Sequence, residues 1–403
     1  MSNIALKIAG LHASRWVAVA LGVCLVAYII KSPVLSKLLN DGGEGSFVRI
    51  APNEIAVCDI DAVGQIHRVG TSFTKAAWYQ NQSPTQTNDE TCGVFGLRDP
   101  LKARERRKYF QQAGTKATVV KWEPIIVGIV DAAVSKIKRD AIRGKADIAK
   151  WFTMMAADVI SSLAWGEPFD MVKGEKKPQL IKDIEAAMIL GGLRLELPVL
   201  YFLLLWIPLP AVRRFMTLYV RLTEAGMRAV TNTKAAPKGS AKTLFSNMYP
   251  EDGKQPFPDS VMADEAGNLI IAGSDSKSEM APTFTVFMTG RTQAYLNLSA
   301  TAMTLTYLVY SVLSNPAIRD RLITEISSLS DSPGWEELES NKYLNNVIEE
   351  ALRLHAPVPS SLPRNAPPEG AILGGYKIPG GTVCCSQAYT LHRDAKVYPD
   401  PEQ

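Results

Sequence analysis

Apolar and polar positions along the chain follow two periods, and the switches between them mark the predicted elements. Phe47-Val48-Arg49-Ile50 and Ile55-Ala56-Val57-Cys58 are short apolar runs either side of Ala51-Pro52-Asn53-Glu54, a pattern that predicts two strands and a turn. Asp61 to His67 predicts a short helix, and the polar, turn-rich stretch from Tyr79 to Val94 a loop. Lys102 to Gln112 predicts a strongly basic helix. From Val119 to Trp165 the period is helical, with a stripe of Ile148, Phe152, Met155, Val159 and Leu163 and with Asp147 at the first turn. Leu195 to Pro210 is apolar throughout, which fits either a core helix or a segment that dips into a membrane surface. Lys234 to Lys242, with Pro237 and Gly239, reads as a polar linker.

The C-terminal half is more eventful. A helix beginning near Ala263 reaches Asp275, and the pattern then breaks from Ser276 to Leu298, where Pro282, Gly290, Lys277, Glu279 and Arg291 interrupt any stripe. Helical spacing resumes at Thr301, and Asn315-Pro316 places a capping residue and a first-turn proline ahead of the next helix. Tyr343 to His355 predicts one buried helix, because Leu344, Val347, Ile348, Ala351 and Leu352 recur at helical spacing. Glu350 and Arg353 share a face of it, and a buried carboxylate and guanidinium must be paired. Short strands follow: Ala371-Ile372-Leu373 and Tyr376-Lys377-Ile378 about Gly374-Gly375, then Thr382-Val383-Cys384-Cys385.

Composition narrows the class. The chain has 403 residues, 46% of them hydrophobic, enough for one large or two medium cores. A formal charge of +4 and the absence of basic runs interleaved with aromatics argue against nucleic acid as a partner. Five cysteines without a CxxC pair fit a reducing compartment. Trp16 to Ile30, bounded by Arg15 and Lys31, is shorter than the roughly 20 apolar residues of a full span. A signal peptide with Lys7 and Arg15 at its basic end is the rival reading, but no small-x-small cleavage site follows. Residues 1–31 are therefore expected to be an uncleaved membrane anchor and residues 32–45 a linker ahead of a domain over 46–403.

Taken together these stretches resemble the cytochrome P-450 family of haem-thiolate monooxygenases, in wording most similar to membrane-bound members from filamentous fungi. Phe47 to Glu54 resembles the family's first hairpin, and Arg107 falls where a basic helix places an arginine on a haem propionate. Ala272-Gly273-Ser274-Asp275 resembles the start of the oxygen-activating A-G-x-D-T motif. Glu350-Ala351-Leu352-Arg353 matches the E-x-x-R helix, and Leu362-Pro363-Arg364 matches the strand whose arginine approaches the other propionate. Tyr389 to Asp394 and Val397 to Glu402 match the segment that leads to the family's cysteine loop.

The resemblance implies a mainly α protein with small β-sheets (α+β). It also implies haem, an apolar small-molecule substrate, electrons from an NADPH-cytochrome reductase, and an endoplasmic reticulum membrane location with the catalytic domain in the cytosol. It assigns Asp275 as the acid of a proton relay, with Ser276 or Thr301 as its hydroxyl partner. Three departures accompany it. None of the five cysteines has the context of the iron ligand, so the axial cysteine is expected to be missing from this chain and no residue is assigned to the metal. The segment between anchor and first strand is shorter than in the family. Residues 276–300 separate Asp275 from Thr301, as an intron translated in frame or as an insertion; transcripts across this region distinguish the two. An inactive, haem-free relative is the alternative to a working hydroxylase.

Overall fold

A computed structural model describes residues 45–82, 92–113, 116–235, 243, 257–274, 300–357 and 361–402. The expected anchor and most of the linker (1–44), Asp275, Ser276 and nearly all of the interrupting segment lie outside these residues. Among the described residues no helix is long and apolar enough to cross a membrane.

The N-terminal hairpin forms as the sequence predicts, with β1 over Phe47–Ala51 and β2 over Glu54–Val57, followed by helix α1, Ile60–His67. Asp59 caps α1 by accepting the Ala62 amide at 2.8 Å. After the short strand β3 (Thr74–Lys75) comes α2 (Ala77–Gln82), where a loop was expected. Tyr79 explains the difference: it is buried and packs edge-on against Phe95, with ring centroids 5.4 Å apart, so the turn is fixed by tertiary contact and not by local propensity. The basic helix is α3, Pro100–Ala113.

The expected helical stretch is two helices, α4 (Lys116–Ile142) and α5 (Ile148–Trp165), with Asp147 capping the second through the Lys150 amide at 3.0 Å. The expected stripe on α5 is only partly the buried one. Trp151, Met154, Ala157, Ser161 and Ala164 are buried more deeply than Phe152, Val159 or Leu163. Helices pack around α5 on several sides: α4, α6 (Met171–Gly174), α11 (Asp259–Ser274) and α12 (Ala300–Ser314). A helix so enclosed has no single apolar face. Both α11 and α12, the helical stretches either side of residues 275–299, rest on α5.

The main core joins α4, α5 and α6 to α7 (Gln179–Glu196), α8 (Pro198–Leu205), α9 (Pro210–Met216) and α10 (Leu218–Ala235). Within the apolar stretch expected near α8, Tyr201 is buried, whereas Val199, Phe202, Leu205, Trp206 and Leu209 are exposed. Helix α10 crosses α11 closely because position 226 is glycine; a Cβ there would lie 2.5 Å from the Ala263 carbonyl oxygen.

The remaining helices are α13 (Pro316–Ser327), capped by Asn315, then α14 (Trp335–Ser340), α15 (Lys342–Leu354) and the single turn α16 (Ala388–Leu391). Strands β4 (Ser361–Asn365) and β7 (Val383–Gln387) join the N-terminal hairpin in a five-stranded sheet ordered β1-β2-β7-β4-β3. Strand β7 runs parallel to β2 and antiparallel to β4. A separate hairpin pairs β5 (Ala371–Leu373) with β6 (Tyr376–Ile378).

Helix α15 is not the buried element its apolar spacing predicts. Ile348 and Leu352 are exposed, and the deeply buried positions are Ala351 and Arg353. The C-terminal segment covers the guanidinium instead of the aliphatic stripe. Arg353 makes a bidentate pair with Glu350, Nε to Oε2 at 2.8 Å and Nη2 to Oε1 at 2.6 Å. Its Nη1 donates to the His392 carbonyl at 2.8 Å and the Pro401 carbonyl at 2.7 Å, while its plane faces the Tyr398 ring. Arg393 returns the contact by donating to the Leu354 carbonyl at 2.6 Å. One side chain thus ties α15 to two separate points of the last segment. Glu350 holds Arg353 well into its charged range, and Arg353 in turn holds the Glu350 carboxyl below its ordinary value.

Removing the arginine strands two carbonyls, whereas removing the half-exposed carboxylate costs only a screened pair. Arg353→Ala is expected to lose about 3 kcal/mol of unfolding free energy and Glu350→Gln no more than about 1 kcal/mol. Urea denaturation of both variants checks this; an equal loss would contradict the asymmetry.

Candidate functional site

The chemistry concentrates at the edge of the sheet. Strands β3 and β4 pair antiparallel with Lys75 opposite Arg364. Like charges directly opposite on a ladder repel, so this register is unfavourable unless something anionic lies between or beside the two groups. Both cations face the buried Tyr79 ring, Lys75 Nζ at 5.4 Å and Arg364 Cζ at 5.8 Å from its centroid. Lys75 is 9% exposed and donates to the Val94 and Phe95 carbonyls at 2.6 and 2.9 Å.

Helix α3 brings two further guanidinium groups. Arg107 is exposed, yet its charge reaches Lys75. Arg106 is turned inward and buried, donates to the Cys92 carbonyl, and faces the Phe257 ring at 5.2 Å. Burial, then Arg107, then Arg364 push the Lys75 ammonium down to about 8, with only Glu265 and Cys92 acting in the opposite sense. Burial also lowers His67, with Arg364 adding to the effect, and His67 Nε2 lies 2.6 Å from Ser386 Oγ. Two buried nitrogens, Arg106 Nε on α3 and Arg364 Nε on β4, have no hydrogen-bond partner among the described residues. A group of cations with unused donors has the chemistry that suits an anion with several oxygens.

Among the residues singled out from the sequence, Arg107 and Arg364 therefore converge on one place. Glu350 and Arg353 form the separate C-terminal knot. Thr301 lies exposed in the first turn of α12, and no hydrogen bond or ion pair among the described residues joins it to the cations. One turn on, Thr304 is buried and donates to the His355 carbonyl at 3.3 Å. Asp275 and Ser276 lie outside the described residues.

Sequence reasoning missed Lys75 and Glu265, and took Arg106 only as one charge of the basic helix, with Arg107 singled out from it. The signal for Arg106 was present: Ala103 is the small apolar residue in a run of charges, so it marks the inward face, and Arg106 follows at i+3. Nothing local marks Lys75, whose role comes from strand register alone.

The expectation that the axial cysteine is missing from this chain finds no support. Cys384 and Cys385 are both buried on β7, with Cys384 paired in register to Arg364 and Cys385 to Pro363. Burial pushes the Cys384 thiol up to about 11, and Cys385 Sγ donates to Glu54 Oε1 at 2.9 Å. Cys58 is half-buried and its thiol is also raised.

Residues 47–403 match the family model described as Cytochrome P450. The cytochrome P450 monooxygenase azaI of Aspergillus niger is 31% identical over 89% of this chain and 72% of its own length. The monooxygenase stcB of Emericella nidulans is 32% identical over 89% of this chain and 65% of its own length, and aflV of Aspergillus parasiticus 31% over 89% and 67%. Among solved structures, the retinoic acid-bound cyanobacterial CYP120A1 superposes with a TM-score of 0.66 at 19% identity, over 91% of this chain and 77% of that one. The haem domain of a cytochrome P450DA mutant superposes with a TM-score of 0.68 at 16% identity, over 87% and 70%. The mainly helical architecture with small sheets, the E-x-x-R helix and these matches over most of the chain identify it as a member of the cytochrome P450 family.

Proposed function

We propose that this protein is a haem-dependent monooxygenase that hydroxylates an apolar small molecule of fungal secondary metabolism, with electrons delivered by an NADPH-cytochrome reductase. The observation that carries the reading is the set of cations Lys75, Arg106, Arg107 and Arg364, two of whose buried guanidinium N–H donors are unpartnered among the described residues. Two propionates supply four acceptor oxygens and two negative charges, which fits that donor set. Arg364 and Lys75 would hold the carboxylates from the sheet side and Arg106 and Arg107 from α3. When bound, the haem supplies activation of dioxygen. The protein's own part is to orient the group, exclude water and move protons. For the last role Asp275, with a hydroxyl from Ser276 or Thr301, is carried over from the sequence motif.

A second reading, a haem-free relative without activity, has one observation in its favour. Cys384 lies fully buried within strand β7 and Cys58 directly after β2, so neither stands on a loop of the kind that carries the family's iron ligand. We propose that neither of them, nor the hydrogen-bonded Cys385, is the axial ligand. A reduced, carbon monoxide-treated absorbance spectrum separates the readings: a thiolate-type Soret band supports the enzyme, and no haem uptake supports the inactive relative.

Membrane attachment has its own support. The exposed apolar face of Val199, Phe202, Leu205, Trp206 and Leu209 is followed by Arg213 and Arg214 on α9, an arrangement suited to the headgroup boundary of an anionic bilayer. Trp206 emission is expected to shift to the blue on adding vesicles that contain phosphatidylserine, and Phe202→Ser to weaken vesicle flotation several-fold. Equal flotation of the variant would sink this assignment.

The cation group makes a proton-linkage prediction. Lys75 titrates near 8 because it is buried among other cations. An anion bound beside it restores the ammonium, so binding at pH 9 must take up protons. Calorimetric titration of the full chain with ferric protoporphyrin IX at pH 9, in two buffers of different ionisation enthalpy, is expected to show uptake of most of a proton, lost in Lys75→Met. Binding without proton uptake would place the propionates elsewhere.

A further inference from the structure

The loop from Cys92 to Leu97 joins the cation group to helix α11, and its backbone is held by four charged side chains from three elements. Carboxylates on α11 take two successive amides: Gly93 N–H donates to Asp264 Oδ2 at 2.5 Å and Val94 N–H to Glu265 Oε1 at 2.6 Å. Cations take the carbonyls, Lys75 those of Val94 and Phe95 and Arg106 that of Cys92. Asp264 is itself fixed by Asn268, whose Nδ2 donates to Oδ2 at 3.1 Å. Position 93 admits no side chain, since a Cβ would lie 2.7 Å from Asn268 Nδ2, 2.8 Å from Glu265 Oε2 and 2.9 Å from Asp264 Oδ2. Asp264 and Glu265 are 2% and 4% exposed.

Two adjacent buried carboxylates are a costly way to hold a loop. What they achieve is specific. Val94, gripped through its amide, also presents a carbonyl to Lys75, and the Gly93 amide shares a peptide group with the Cys92 carbonyl that takes Arg106. We propose that Asp264 and Glu265 are positioning residues, which lock the Cys92–Leu97 loop onto α11 and so set the spacing of Lys75 and Arg106 across the anion site, and that proton uptake by Glu265 tightens this lock. Only the identity of the anion rests on the haem reading above; the lock itself does not.

The charges facing Glu265 are Asp264 on its own helix, Arg106 on α3 and Lys75 on β3, with Arg107 and Arg364 acting in turn on Lys75. Burial pushes the Glu265 carboxyl up from 4.5 to about 7, Asp264 adds to this, and the Val94 amide and the two cations oppose it. In a loop that has swung open, the carboxyl is hydrated and titrates near its ordinary value. Closing therefore binds a proton between about pH 4.5 and 7. The lock is strongest at the acid end of that window, weakens as pH rises through it, and changes little above.

Amide hydrogen exchange of the purified full chain reads this directly, after correction for intrinsic exchange rates. Between pH 5.5 and 7.5 the opening constant for Gly93 and Val94 is expected to rise about twentyfold, while amides of β4 and β7 keep their protection. Glu265→Gln retains an acceptor and cannot ionise, so it is expected to hold both amides protected at both pH values. Glu265→Leu removes the acceptor and is expected to expose them at pH 5.5 without loosening the sheet. Equal wild-type protection at both pH values, a Glu265→Gln variant that still follows the wild-type pH dependence, or protection that survives Glu265→Leu would each overturn the proposal. The readout needs no porphyrin, so it fails or succeeds separately from the haem assignment.

Discussion

The like-charge pair across β3 and β4 is the constraint around which the site is arranged. Lys75 and Arg364 stand opposite each other by register, and neither can leave without breaking the ladder that sets it. The fold tempers the repulsion locally. Tyr79 offers its ring face to both cations, and two backbone carbonyls take the Lys75 ammonium. These contacts still leave donors over, on Arg364 and on the inward Arg106. A protein that buries guanidinium nitrogens without partners gives up free energy. An anion at this place would return it, and the proposed role of the cation group rests on that balance.

The C-terminal knot solves a different problem by similar means. Arg353 is buried too, but every contact it needs comes from within the chain: Glu350, the His392 and Pro401 carbonyls and the Tyr398 ring. The contrast gives the two clusters their separate roles. Arg353 is satisfied, and it holds together elements far apart in sequence. Arg106 and Arg364 each keep one buried N–H without a partner among the described residues. Asp264 and Glu265 lie between the two extremes, as buried charges that hold the backbone of a loop.

Much of this was legible in the chain, for identifiable reasons. The hairpins and the caps at Asp147 and Asn315 depend on residues within a few positions of one another, so local patterning found them. The pairing of Glu350 with Arg353 followed from helical spacing, whereas Arg364 was singled out only by the resemblance of Leu362-Pro363-Arg364 to a strand of the family. What was not legible depends on contacts between distant segments. The buried face of α5 was misread because packing on several sides erases a stripe. Helix α15 was expected to bury its aliphatic residues, but the segment around His392 and Pro401 selects its arginine. Lys75 became visible only once β4 was placed beside β3, and Arg106 only once α3 was turned against the Cys92 loop. Asp264 and Glu265 sit in a helix that was recognised, with a function that lies entirely in the loop they hold.

Everything proposed for the cation group depends on its binding the carboxylates of a porphyrin. The most direct test compares two ligands that differ in nothing else: ferric protoporphyrin IX and its dimethyl ester, in which both propionates are uncharged. If Lys75, Arg106 and Arg364 hold the propionates, the free diacid binds the full chain at least tenfold more tightly than the ester, and Arg364→Leu removes most of that difference. Equal affinity for acid and ester, or an undiminished preference in Arg364→Leu, would contradict it.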